Sequence, residues 1–121
     1  MLARRAAIAE GIDRGPRLTH LNSRVRVQRV EGVPDKSYDV VTNIEVVEHV
    51  QDDEAFVDHL GRIARELVFI STPNWTASRN LWPYHVREYN PAQMYELLST
   101  IGVVTFFKGN SAGTEVHRVR R

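Results

Sequence analysis

The stretch Glu45-Val46-Val47-Glu48-His49 sets two carboxylates and an imidazole within five residues, just after the apolar run Tyr38-Asp39-Val40-Val41. If the chain turns from strand to helix there, Glu45, Glu48 and His49 stand at i, i+3 and i+4. That is one face of one helical turn, and three ligands for a cation then point the same way. The same residues also suit a polar helix start, where carboxylates are stabilised by the helix dipole and His49 packs or hydrogen-bonds. Spacing alone leaves both readings open.

The elements that must position this triplet read as an alternation of strands and helices. Leu2 to Ala9 favours helix, Ile8 to Asp13 a short strand ending on an acid, and Arg24 to Val30 a half-buried alternating strand. Tyr38 to Asn43 is a buried strand. Asp53 is an expected N-cap, and Phe56, Val57, Leu60, Ile63 and Ala64 recur at helical spacing to about Arg65. Leu67 to Ser71 is a second continuous apolar strand, expected to stop before Pro73.

From Asn74 to about Tyr89 a long irregular loop is expected, unusually rich for a connector because it holds Trp75, Trp82, Tyr84, His85 and Tyr89. Asn90 then caps a helix with Pro91 at its first position, Met94, Leu97, Leu98 and Ile101 as its apolar stripe, and Gly102 at its end. The tail is two strand patterns about a Gly/Asn/Ser turn, hence an antiparallel hairpin. Strand, amphipathic helix, strand implies a right-handed crossover, so the strands at Tyr38–Val41 and Leu67–Ile70 should be adjacent and parallel. The fold class is α/β, a mostly parallel sheet closed by an antiparallel hairpin.

Composition narrows the chemistry. With 121 residues, 42% apolar and 26% charged, the chain suits one soluble globular domain spanning residues 1–121. It has no cysteine, so disulfides and thiolate metal sites are excluded and any metal must bind through oxygen and nitrogen. No apolar run approaches the roughly 20 residues of a membrane span, and a cytoplasmic location is expected. The net charge of +1 conceals arginine-rich ends, read as solvated faces rather than a nucleic-acid surface.

Taken together, Glu10-Gly11-Ile12-Asp13, Ser37 to Val50 and Arg65 to Asn74 resemble the second, fourth and fifth strands of class I S-adenosylmethionine-dependent methyltransferases, over nearly the whole chain. The resemblance implies a Rossmann-like fold ending in an antiparallel hairpin, with Asp13 on the cofactor ribose and Thr42 and Asn43 beside the cofactor. Two branches, the ubiquinone-biosynthesis O-methyltransferases and the small-RNA 3′-terminal 2′-O-methyltransferases, carry a Glu-x-x-Glu-His triplet that binds a divalent cation. By that likeness Glu45, Glu48, His49 and His85 become candidate ligands for Mg²⁺ or Mn²⁺. Trp75, Trp82, Tyr84 and Tyr89 would shape the acceptor pocket, or else cover the sheet's end as core.

The resemblance has a gap. The family's first strand and glycine-rich cofactor turn have no counterpart before Ile8, so the expected fold is truncated. A central strand missing from a sheet leaves unpaired edges; the second strand can pair directly with the fourth, the sheet can be rebuilt in another order, or, as expected here, a homodimer or a partner's strand fills the gap. Three functions follow as expectations. The first is methyl transfer from S-adenosylmethionine to a hydroxyl or similar nucleophile, on a small molecule or a nucleic acid. The second is a non-catalytic binding or assembly module, and the third a metal-binding protein without methyl transfer.

Overall fold

The computed structural model describes residues 10–13, 25–27, 29–79, 83–108 and 113–121. The expected helix at Leu2 to Ala9 and the residue Trp82 lie outside them. The chain divides into two compact units, Met1–Val33 and Pro34–Arg121. In the first, β1 (Gly11–Asp13) and β2 (Val25–Val27) pair in parallel, Gly11 with Val25 and Asp13 with Val27, which places Asp13 at the carboxyl end of its strand. The strand expected to run to Val30 is shorter, because Val30–Gly32 closes a 3-10 turn instead.

The second unit is a four-stranded sheet in the order β3-β4-β6-β5, formed by β3 (Tyr38–Ile44), β4 (Ala64–Pro73), β5 (Val103–Lys108) and β6 (Thr114–Arg120). β3 and β4 run parallel, Val40 beside Leu67 and Asn43 beside Ile70, as strand-helix-strand order requires. β6 pairs antiparallel with both β4 and β5, so the hairpin folds back with its second strand inside and β5 at the edge.

Two helices cover one face. α1 (Asp53–Ile63) buries Val57, Leu60 and Ile63, the stripe its spacing dictates. Its cap is Asp52, whose Oδ1 accepts from the Ala55 N–H at 3.1 Å, not the expected Asp53. α3 (Pro91–Ser99) starts as expected, with Asn90 and Gln93 forming a reciprocal capping box, and buries Met94 and Leu98. It stops at Ser99, and Gly102 does not end it through a left-handed backbone. Gly102 is needed for close approach, since a Cβ there would lie 2.3 Å from the Arg120 carbonyl oxygen.

β4 continues through Pro73, beyond the expected stop. The Ser71 carbonyl faces the β3 side, where it accepts from the Glu45 N–H at 3.0 Å, and residues two apart present their backbones the same way. The N–H that Pro73 lacks is therefore on the side where β3 has already ended at Ile44, and its absence costs no ladder bond. On β6 the buried positions are Glu115, His117 and Val119, opposite Thr72, Ile70 and Val68.

Candidate functional site

β3 ends in a sharp change of direction. Glu45 takes a left-handed backbone, φ 53°, costing on the order of 1 kcal/mol for a residue with a side chain. A 3-10 turn then runs over Val47–His49. The expected single helical face is thereby broken. The Glu45 carboxylate accepts from the Ser71 hydroxyl at 3.0 Å, whereas Glu48 and His49 are carried round by the turn.

What joins them is His85. Ligand atoms of Glu48, His49 and His85 all lie within 4.8 Å of one another. The segment bearing His85 is stitched to the turn by its backbone. Val86 N–H donates to the Glu48 carbonyl at 2.8 Å, and Arg87 donates through Nη1 to the Val50 carbonyl at 2.8 Å and through Nη2 to the Gln51 carbonyl at 2.7 Å. Further along, the Tyr89 hydroxyl donates to Asp53 Oδ2 at 2.6 Å. Burial and that bond to Asp53 push the Tyr89 hydroxyl well above its ordinary pKa.

Each side chain of the three is tied down at one end and free at the other. His49 Nδ1 lies 3.0 Å from the Tyr84 carbonyl, which can only accept, so Nδ1 carries a proton and, in the neutral ring, the lone pair is on Nε2. His85 Nδ1 lies 2.7 Å from Glu88 Oε1, with the same consequence. The two rings meet edge to face, 4.8 Å between centroids and 74° between planes. Glu48 is fully buried; its Oε2 accepts from the Thr72 hydroxyl at 3.2 Å, while Oε1 has no hydrogen-bond partner and lies 3.9 Å from His49 Nε2.

A buried carboxylate oxygen without a hydrogen-bond partner, beside two imidazoles, is costly unless something positive sits near it. Burial, and to a smaller degree the neighbouring Glu45, raises the Glu48 pKa, while backbone and Thr72 hydrogen bonds oppose the rise. One carboxylate oxygen and two imidazole nitrogens fit a divalent cation of borderline hardness with positions left for further ligands. Thr72, Ser78 and Glu88, which hold the ligands in place, escape the sequence reading. Glu88 carried a usable signal, because it follows His85 at i+3.

The other expected site residues are placed differently. Asp13 ends β1. Thr42 is exposed, and Asn43, on the opposite face of β3, is buried with its Oδ1 unpartnered. Trp75 opens α2 (Trp75–Ser78), with the Arg79 guanidinium 4.6 Å above its ring. Tyr84 is 74% exposed and serves His49 through its carbonyl, whereas Tyr89 is buried. The expected irregular loop is thus partly ordered: α2 is capped by Asn74, which also bridges to Tyr89.

A sequence profile of the methyltransferase domain matches residues 1–106. The chain belongs to this methyltransferase family. It is 42% identical over 77 residues to a probable S-adenosylmethionine-dependent methyltransferase of Mycolicibacterium smegmatis, covering 58% of this chain and 30% of that protein. The chain thus matches about 30% of the length of that curated relative. Its fold matches an S-adenosylmethionine-dependent methyltransferase of Archaeoglobus fulgidus with a TM-score of 0.73 at 15% identity, over 99% of this chain and 79% of that one. A chain of the Pnkp1/Rnl/Hen1 RNA repair complex matches with a TM-score of 0.62 at 18% identity, over 82% of this chain and 26% of that one. The class I methyltransferase fold implied by the strand motifs is therefore the fold observed. Among the described residues no helix is long and apolar enough to cross a membrane.

Proposed function

We propose that this domain serves S-adenosylmethionine-dependent methyl transfer to a hydroxyl, with Glu48, His49 and His85 holding Mg²⁺ or Mn²⁺ beside the acceptor. The observation that carries this reading is that ligand atoms of Glu48, His49 and His85 lie within 4.8 Å of one another while the buried Glu48 Oε1 has no hydrogen-bond partner. S-adenosylmethionine supplies an electrophilic methyl group, and a cation supplies positive charge that lowers the pKa of a nearby hydroxyl. Thr72 aims the Glu48 carboxylate, and Tyr84 and Glu88 fix the two rings so that Nε2 faces inward. Glu45 joins the set only by releasing Ser71.

For the cofactor we assign, each within its own unit, Asp13 at the carboxyl end of β1 and Thr42 and Asn43 near the carboxyl end of β3, the strand ends at which ligands bind in α/β folds. The buried, unpartnered Asn43 Oδ1 supports that assignment as an acceptor awaiting a donor. The test is thermal unfolding at pH 7.5 with and without Mn²⁺. At a free concentration of about 100 times Kd the expected stabilisation is about 2.7 kcal/mol, and Glu48→Gln should remove it. An unchanged transition in the wild type would overturn the cation site.

A second reading, an assembly module completed by a second copy or a partner's strand, is favoured by β3. Among the described residues β3 is an edge of its sheet, with Val40 and Ile44 exposed. Sedimentation equilibrium should show a dimer that Ile44→Lys dissociates. A monomer at all concentrations would contradict this reading.

A further inference from the structure

Glu88 is a buried carboxylate whose two oxygens both meet side chains: Oε1 accepts from the His85 Nδ1–H at 2.7 Å, and Oε2 accepts from the Ser78 hydroxyl, whose oxygen also lies 3.0 Å from the Asn74 carbonyl oxygen. Ser78 is the last residue of α2, so the short helix after β4 reaches the candidate site through Glu88. His49 Nδ1, by contrast, donates to a backbone carbonyl, that of Tyr84. The two imidazoles therefore face the same space with unequal support.

We infer that Glu88, aimed by Ser78, is the positioning residue that makes His85 the stronger of the two imidazole donors to the cation. The inference rests on the cation reading above. A carboxylate only accepts, so it holds the proton on Nδ1 and excludes the ring flip that would turn Nε2 away. Its charge also makes Nε2 a better donor, an outer-shell effect that a carbonyl supplies more weakly. The Ser78 hydroxyl is the second anchor: by donating to Oε2 it fixes the plane of the carboxylate, and hence the plane of the His85 ring. Nothing in this chain of contacts requires Glu88 to touch the cation or the substrate.

The experiment is a Mn²⁺ titration of the full chain followed by electron paramagnetic resonance of free Mn²⁺ at fixed pH. It uses the wild type, Glu88→Gln, Ser78→Ala, His85→Ala and the double variant Glu88→Gln/His85→Ala, with unfolding in chelator as a check on folding. Glu88→Gln should weaken binding about 10- to 100-fold, with Ser78→Ala costing less. In the His85→Ala background, Glu88→Gln should have no further effect, which a merely structural role would not produce. Should Glu88→Gln fail to fold, Ser78→Ala decides, and wild-type affinity there overturns the inference. If the wild type binds and Glu88→Gln binds equally well, the inference fails and the cation site stands. Absence of wild-type binding overturns both.

Discussion

The second unit holds two groupings of the same residue types, and they differ in what they can do. Glu48, His49 and His85 lie at the carboxyl end of β3, with the imidazoles anchored through Nδ1 and with His49 partly exposed. Glu115 and His117 lie side by side on β6, both fully buried, with Nε2 donating to Glu115 Oε1 at 3.1 Å and the Phe106 ring 5.2 Å from the imidazole. Each grouping leaves a carboxylate oxygen without a partner. Only the first gathers ligand atoms of three residues within 4.8 Å of one another and includes an exposed side chain, that of His49. A ligand set is made by where lone pairs converge, not by residue type alone.

The largest expected effect separates the two groupings directly. Glu48→Gln should lower Mn²⁺ affinity by at least about 100-fold, a loss of about 2.7 kcal/mol, because it removes the only carboxylate of the three. Glu115→Gln should leave that affinity unchanged. Equal losses in the two variants, read by calorimetric titration, would erase the distinction.

Next in size is the pH dependence of stability at Glu115. Burial raises its pKa, and the hydrogen bond and charge of His117 pull it back. A raised folded-state pKa means that the contribution to stability is fully present below the ordinary carboxylate range and is lost as pH rises through the folded value. Glu115→Gln has no charge to desolvate, so at pH 8 it should unfold at higher temperature than the wild type, by several degrees for each kcal/mol recovered. That advantage should vanish as pH falls below the ordinary carboxylate range. A variant less stable at pH 8 would mean that the Glu115–His117 pair gains more than its burial costs.

The smallest effect tests the scaffold under the first grouping. Tyr89→Phe leaves Asp53 without its hydroxyl donor and should cost about 1 kcal/mol in denaturant unfolding. Mn²⁺ affinity should fall only slightly, because Arg87 still holds the turn through Val50 and Gln51. A large affinity loss would make the Tyr89–Asp53 bond, rather than Arg87, what holds the His85 segment in place.

Much of this was readable in the sequence where local rules and tertiary packing agree. Asn90, Pro91 and Gln93 form a helix start whose capping bonds are local, and the apolar runs around Val40 and Val68 become neighbouring parallel strands. The strand motifs led to the right family, and the likeness that set His85 beside Glu48 and His49 named three residues whose ligand atoms the fold brings within 4.8 Å of one another. The misses come from geometry that spacing does not encode. Glu45 adopts a left-handed backbone that no helical register foresees. On β6 the strand pattern was legible, but not that pairing with β4 buries the polar residues Glu115 and His117. Thr72 and Ser78 act through side chains far from the triplet in sequence, so only the folded chain shows what they hold.

The most direct test of the cation site is calorimetric titration of the wild-type chain with Mn²⁺ alongside His85→Ala. The expected result is one saturable site per chain in the wild type, with affinity reduced at least about 100-fold in the variant, as loss of one of three protein ligands demands. Binding that is absent in the wild type, or unaltered by His85→Ala, would contradict a cation held by Glu48, His49 and His85.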